Sequence, residues 1–167
     1  MNIEQSLQET VDAIAKTLIR RKQTIAVAES VTAGNIQAAL SRAEKAAFFF
    51  QGGMTVYNIG QKCRQLNIDP IHAESCNSVS QKVADQLSTN IASVFLSHYG
   101  IGITGYAAPL PEKGIEDLFA YVSISREGEV IASKKLLAEP VVHSLQAQLN
   151  YSFEALKLLQ KHLEEAT

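Results

Sequence analysis

Apolar residues recur every three or four positions over several stretches of the chain, which is the spacing of amphipathic helices. This spacing predicts one long helix over residues 2–21 and another over residues 141–165. The other helices are predicted to be shorter: Thr32 to about Arg42, a segment within "IGQKCRQLNI" that Asp69-Pro70 stops, and one capped by Ser78 or Ser80 and ended by Gly100.

Short apolar runs without helical spacing alternate with these helices. The segments "TIAVA" at 24–28 and "GIGIT" at 100–104 are typical of strands buried on both faces. A further strand is predicted at 53–58, entered through Gly52-Gly53, and "LFAYVSIS" pairs with "VIASKKLL" as a hairpin across "REGE". This order predicts an α/β fold, a three-layer α/β/α sandwich with a mixed, mostly parallel five-stranded sheet. No linker interrupts the pattern, so residues 1–167 are interpreted as a single domain.

The composition narrows the classes of function. The chain has 167 residues, a formal net charge of -2 and a pI of about 6.1, so no basic surface indicates binding to nucleic acid. No apolar run is long enough to predict a membrane span, and the polar, acidic start is unlike a secretory signal. Cys63 and Cys76 lack the spacing of a metal site, which favours reduced thiols, a cytoplasmic location, and neither metal nor cofactor.

The segment "AVAESVTAG" places Glu29 and Ser30 where a buried strand passes into a helix. In α/β proteins, ligands bind in the crevice outside the carboxyl ends of the strands. At a predicted helix start, Ser30 is either a nucleophile with free backbone amides beside it or the polar end of a capped turn. It has no G-x-S-x-G context, and none of the four histidines is placed as its base.

Lysine can act as the base when burial lowers its pKa. The segment "TVYNIGQKC" places Tyr57 at the end of a predicted strand and Lys62 one turn into the next helix. Taken alone, the pair is more often a half-buried tyrosine and an exposed lysine. The segment "ITGYAAP" supplies a third strand end, where Gly105 can adopt a positive φ and direct amides at an anion, or simply form a turn.

In order along the chain, "AVAESVTAG", "FFFQGGMTVYNIGQK", "NSVSQKVA" and "ITGYAAP" resemble the motifs of the CinA C-terminal domain family. Proteins of that family are nicotinamide mononucleotide (NMN) amidohydrolases with a three-layer α/β/α fold. The resemblance covers nearly the whole chain and implies hydrolysis of the NMN carboxamide to nicotinic acid mononucleotide and ammonia, without a metal. It implies Ser30 as nucleophile, with Tyr57 and Lys62 as its helpers. The positions that match the family's substrate-binding segments are Glu29, Thr32, Gly34, Thr104, Gly105 and Ala107.

Other positions depart from the family pattern. T-G-G is Thr32-Ala33-Gly34 here, "YAAPLPEKG" replaces a glycine-rich loop, and no arginine occurs from residue 127 onward. Since the missing groups favour phosphate binding, three interpretations stay open: an NMN deamidase with altered anion contacts, an amidase for a different substrate, and a degenerate domain that binds a nucleotide or a partner without turnover. The expected partners are a small-molecule nucleotide and a second copy of the chain in a homodimer.

Overall fold

The computed structural model describes residues 2–139 and 143–166. Within them, helices and strands alternate along the chain, with short 3₁₀ turns at Ala46–Phe48 and Pro111–Lys113. The α-helices and strands, in chain order, are α1 (Ile3–Arg21), β1 (Ile25–Glu29), α2 (Asn35–Ser41), β2 (Phe50–Thr55), α3 (Ile59–Leu66), α4 (Pro70–Ser75), α5 (Gln81–Val94), β3 (Tyr99–Gly105), β4 (Phe119–Arg126), β5 (Glu129–Leu137) and α6 (Ser144–Glu165).

The strands form one mixed sheet in the order β2-β1-β3-β4-β5. β1 pairs in parallel with β2 and β3, whereas β4 is antiparallel to β3 and β5. All the described strands except β4 therefore run in one direction. Because β1, β2 and β3 are parallel, their carboxyl ends reach the same edge of the sheet, as the sequence predicts.

Helices cover both faces of this sheet. α1, α2 and α6 pack on one face, and α3, α4 and α5 pack on the other. Along β1, Ile25 and Val27 enter the first core while Ala26 and Ala28 enter the second, since alternate side chains of a strand point to opposite faces. The predicted three-layer α/β/α sandwich is confirmed.

Glycines bring α5 directly onto β3. A Cβ on Gly100 would overlap the carbonyl oxygen of Ser88, and one on Gly102 would overlap the backbone of α5. Gly100 lies inside β3, so the prediction that it ends the preceding helix was wrong. α5 ends at Val94 instead, and Leu96 adopts the left-handed conformation with φ 52°.

β2 lies earlier in the chain than its sequence pattern predicts. The strand spans Phe50–Thr55 rather than 53–58, so the glycine pair is inside it. Gly52 has φ 111°, and a Cβ on Gly53 would overlap the backbone of β1. The pair therefore allows β2 to approach β1 closely, and Tyr57 follows the strand instead of ending it.

α2 is shorter than predicted. It begins at Asn35 rather than at Thr32, because residues 31–34 form turns that end at Gly34 with φ 102°. Ser30 is therefore not at the start of a helix, and that prediction was wrong. α6 is described from Ser144 onward, and its predicted start at residue 141 lies outside the described residues.

Candidate active site

The segments that follow β1, β2 and β3 meet at one edge of the sheet and border a cleft of about 660 Å³. The first turn of α6 and the loop between β3 and β4 form its other sides. The described residues that line the cleft are Ser30, Val31, residues 57–60, Lys62, residues 77–79, residues 104–108, Leu110, Glu112, Lys113, Ser144 and Gln148. The cleft is therefore a candidate site at the place that the strand order predicts.

Ser30 is held at the wall of the cleft by its own backbone. Its N–H donates to the carbonyl of Ile103 at 3.2 Å, and its carbonyl accepts from the N–H of Ala33 at 3.1 Å. The hydroxyl donates a long hydrogen bond, 3.4 Å, to the carbonyl oxygen of Tyr57. The residue is only 5% exposed, so its hydroxyl faces a largely desolvated environment.

Lys62 projects from α3 into the same region and is only 1% exposed. Its ammonium donates to the carbonyl oxygen of Tyr57 at 3.0 Å. Burial lowers the pKa of Lys62 from its ordinary 10.5 to about 8, and the neighbouring Cys63 opposes part of the shift. Tyr57, in contrast, is 70% exposed. The expectation of a half-buried tyrosine and an exposed lysine was wrong for both residues.

One carbonyl group joins the two candidate catalytic side chains. The Ser30 hydroxyl and the Lys62 ammonium both donate to the Tyr57 carbonyl oxygen, so both lie within 3.4 Å of a single atom. A neutral lysine amine keeps two N–H donors and gains a lone pair. It can therefore stay on this carbonyl while it accepts the serine proton. Tyr57 positions the pair through its backbone, and its side chain is left free at the cleft.

Glu29 is buried, at 0% exposed, behind the serine. One carboxylate oxygen accepts from the Thr32 hydroxyl at 2.6 Å and from the Ile36 N–H at 2.9 Å. The other accepts from the backbone N–H and the side-chain amide of Gln37, at 3.0 Å and 2.9 Å. The N-terminal amides of α2 are thus engaged by the protein itself, and Glu29 acts as a cap that holds the turn carrying Ser30.

Replacement of Glu29 by glutamine tests this cap. Glutamine keeps the volume, but its NH₂ group cannot accept the two bonds that the second oxygen takes from Gln37. We expect Glu29→Gln to lower the free energy of unfolding by about 2–4 kcal/mol, because buried donors lose their acceptor. Urea unfolding measures this free energy. Glu44→Gln, the same substitution at an exposed position, is the control, and its free energy of unfolding should lie within about 0.5 kcal/mol of wild type. Equal effects of the two substitutions would exclude the cap.

The N-terminal amides of α2 are engaged by Glu29, so any donors to an anion in the cleft must come from elsewhere. The N–H groups of Val31 and Thr32 donate to no acceptor in residues 2–139 or 143–166. They directly follow Ser30, and the Val31 carbonyl is tied to α6 by the Gln148 side-chain amide at 2.9 Å. Val31 lines the cleft, whereas Thr32 is fully buried and is not among the described lining residues, so the Val31 N–H is the candidate donor to an oxyanion.

The end of β3 forms another wall of the cleft. Thr104 is 1% exposed, and its hydroxyl donates to the carbonyl of Ser78 at 2.8 Å. Gly105 does not adopt a positive φ, contrary to expectation. A Cβ there would overlap the backbone of β4, and the N–H of Tyr106 donates to the carbonyl of Phe119 at 2.8 Å. Gly105 therefore serves close strand packing, and the turn amide that follows it is not free for an anion.

Comparisons with known proteins identify the family of this chain. A model of the CinA C-terminal domain matches residues 7–163. This chain belongs to the CinA C-terminal domain family. A CinA-like protein of Thermosynechococcus vestitus is 35% identical over 96 residues, which cover 58% of this chain and 23% of that protein. The chain thus spans about a quarter of the length of that relative.

Solved structures of CinA superfamily proteins share the fold. A crystal structure of such a protein from Klebsiella pneumoniae superposes with a TM-score of 0.87 at 22% identity and covers 99% of both chains. A competence or damage-inducible protein from Enterobacter asburiae gives a TM-score of 0.86 at 22% identity, over 94% of this chain and 98% of that one. At this identity the likeness establishes the fold of the CinA domain.

The CinA-domain structure brings most of the sequence-predicted site residues together, but not all. The predicted residues that line the cleft are Ser30, Tyr57, Lys62, Thr104, Gly105 and Ala107. Glu29, Thr32 and Gly34 do not line it. Ala33, which stands at a glycine of the family pattern, adopts φ 50°, a left-handed conformation that costs a residue with a side chain about 1 kcal/mol.

Sequence reasoning missed several cleft residues. Asn77, which begins the quoted segment "NSVSQKVA", and Gln148 were not predicted as site residues, because their contacts are with partners 36 and 117 residues away. The burial of Lys62, in contrast, could have been predicted from the spacing of residues along α3. Ile59, Lys62, Cys63 and Leu66 follow the i, i+3, i+4, i+7 spacing of one helix face, and Leu66 is fully buried.

Two further features bear on the CinA domain. In the described ranges 2–139 and 143–166, no group of three or more His, Cys, Asp or Glu side chains is arranged to hold a metal ion. Within the same ranges, no helix combines the length and the apolar character needed to cross a bilayer. Cys63 and Cys76 are both free thiols.

Proposed function

We propose that this chain is an amidohydrolase of the NMN deamidase type, with Ser30 as nucleophile and Lys62 as general base. The observation that carries the proposal is the buried Lys62, a potential base of lowered pKa that shares the Tyr57 carbonyl oxygen with the Ser30 hydroxyl. The membership in the CinA C-terminal domain family and the cleft at the strand ends support it.

In the first step, the Ser30 hydroxyl attacks the carboxamide carbon and its proton passes to the neutral Lys62 amine. The carbonyl oxygen of the substrate becomes an oxyanion, and the Val31 amide at the cleft is its donor. When the tetrahedral intermediate collapses, the C–N bond breaks and Lys62 returns the proton to the departing nitrogen. Ammonia leaves, and the acyl group remains on Ser30 as an ester.

In the second step, water replaces the serine. Lys62, neutral again, takes a proton from the attacking water, and the same Val31 amide stabilises the second oxyanion. Cleavage of the ester bond returns the proton to Ser30 and releases the carboxylic acid. The net reaction consumes one water and gives one carboxylic acid and one ammonia, which become carboxylate and ammonium in neutral solution, so it needs no oxidant or reductant.

The pH profile follows from the state of Lys62. Only the neutral amine can accept the serine proton, and with a pKa of about 8 roughly one molecule in ten carries it at pH 7. We expect kcat/KM to rise about tenfold per pH unit below pH 8 and to level off above it. Initial rates between pH 6 and 10 measure this, and a profile that is flat or falls from pH 6 to 8 would contradict the assignment.

Ammonia release from NMN by the purified protein is the direct test of the proposed function. A coupled assay for ammonia and chromatography of nicotinic acid mononucleotide should give equal amounts of the two products. Nicotinamide riboside, which lacks the phosphate, is the parallel substrate. Release from neither compound, with NMN binding still measurable by calorimetry, would favour a domain that binds nucleotides without turnover.

A further inference from the structure

A hydrogen-bonded chain runs from the mouth of the cleft into the core. The Lys113 ammonium donates to the side-chain oxygen of Asn77 at 2.8 Å, and the Asn77 amide donates to the Tyr106 hydroxyl at 3.3 Å. Tyr106 is 8% exposed, and its carbonyl accepts from the hydroxyl of Tyr151 at 3.0 Å. Lys113 itself is exposed, so a cation at the cleft is anchored through Asn77 to buried groups.

The loop that carries Lys113 is short and closed. Leu110 and Ile115 form an isolated antiparallel bridge, and a 3₁₀ turn at Pro111–Lys113 lies between them. The N–H of Lys113 donates to the carbonyl of Leu110 at 2.9 Å, and Gly114 ends the turn with φ 67°. Pro111 restricts the backbone further. The ammonium is therefore presented by a preorganised loop, which reduces the ordering needed when a ligand binds.

Few of the described residues that line the cleft carry a charge. Among the described residues that line it, the charged ones are Lys62, Glu112 and Lys113. In the catalytic form Lys62 is neutral, so Lys113 is then the one cation in this described lining. Its ammonium has three N–H donors, of which Asn77 takes one and two are available to a ligand.

We propose that Lys113, positioned by Asn77, binds the phosphate group of the substrate and sets the preference for a phosphorylated substrate. This inference rests on the proposed amidohydrolase function. It places the anion contact on the loop between β3 and β4, and it accounts for an anionic substrate in a chain that has no arginine from residue 127 onward. Glu112, on the same turn, opposes the phosphate and limits the gain.

Kinetics with NMN and nicotinamide riboside test the proposal. Lys113→Gln should raise KM for NMN about tenfold with little change in kcat, because the lost contact acts equally on ground and transition states. The ratio of kcat/KM for NMN to that for the riboside should fall by the same factor. Glu112→Gln should change this ratio in the opposite direction, about two- to threefold, and Lys113→Arg should restore most of it. Lys16→Gln, an exposed change outside the described cleft lining, is the control.

A binding measurement separates this inference from the proposed function. Calorimetry of NMN on the Ser30→Ala protein, with and without Lys113→Gln, reports phosphate binding even if no turnover occurs. A tenfold weaker binding of NMN after Lys113→Gln, with the binding of the riboside unchanged, supports the inference whether or not the wild type releases ammonia. Equal losses for NMN and the riboside would overturn it, since a merely structural role of Lys113 affects both alike. Unchanged binding and kinetics would overturn it as well.

Discussion

Ser30→Ala is expected to lower the rate of NMN hydrolysis by about 10³- to 10⁶-fold, because the acyl-enzyme route requires the serine oxygen. The alanine leaves the substrate, the neutral Lys62 and the Val31 amide in place, so any residual rate comes from positioning and the oxyanion contact alone. KM should change far less than kcat. Single-turnover ammonia release measures the chemical step directly, and a serine ester trapped at acidic pH in the wild type should be absent from the variant.

Ser78→Ala is the matched control for this prediction. Ser78 also lines the cleft and is 4% exposed, but its carbonyl rather than its hydroxyl makes the described contact with Thr104. We expect its activity within a few-fold of wild type, and thermal unfolding should confirm that both variants are folded. If Ser30→Ala kept most of the activity, the nucleophile would have to be another group of the cleft.

Lys62→Met is expected to remove activity and to stabilise the protein. Activity should fall by about 10²- to 10⁴-fold, which is the usual contribution of a positioned general base. The stability gain comes from burial: a pKa lowered from 10.5 to about 8 means that the folded state disfavours the charged ammonium by roughly 3 kcal/mol. Methionine has a similar length and carries no charge. In the variant, the Tyr57 carbonyl oxygen still accepts a hydrogen bond from the Ser30 hydroxyl, so it is not left without a donor.

The sign of the pH dependence distinguishes this explanation from simple repacking. Below pH 8, Lys62 is protonated in both states and wild type bears the full penalty of a buried charge. Between pH 8 and about 10.5 the unfolded state binds more protons, so wild-type stability from this group rises with pH. The gain in free energy of unfolding from Lys62→Met should therefore be largest at pH 7 and should decrease toward pH 10.5.

Urea unfolding at pH 7, 8.5 and 10 measures this gap. Lys16→Met, at an exposed position of α1, is the matched control and should differ from wild type by less than about 0.5 kcal/mol at each pH. A Lys62→Met protein that is less stable than wild type at pH 7 would show that the ammonium contributes more than its burial costs. Together with the lost activity, the expected gain would make Lys62 a group retained for function at the expense of stability.

Most of the fold could be predicted from local patterns. The alternation of buried strands with amphipathic helices, and the hairpin at the end of the sheet, led to the observed three layers. Several of the errors lie where a glycine has a tertiary role. Gly100, Gly52 and Gly105 were interpreted as a helix end, a strand entry and a flexible turn, yet all three lie within strands. A pattern of residue types does not reveal how closely another backbone approaches.

By itself, the sequence determined which segments meet at the cleft and which residue types they bring. Ser30, Tyr57 and Lys62 were identified from motifs on adjacent elements. Even the burial of Lys62 could have been predicted from the spacing of the residues of α3. Only the tertiary structure decided what each group does. The Tyr57 carbonyl accepts from Lys62, Glu29 caps α2, and the Asn77 side chain accepts from Lys113. The physical reason is that local patterns register neighbours within a few residues, whereas the Ser30–Tyr57 and Asn77–Lys113 contacts join groups 27 and 36 positions apart, which strand order and loop lengths bring together.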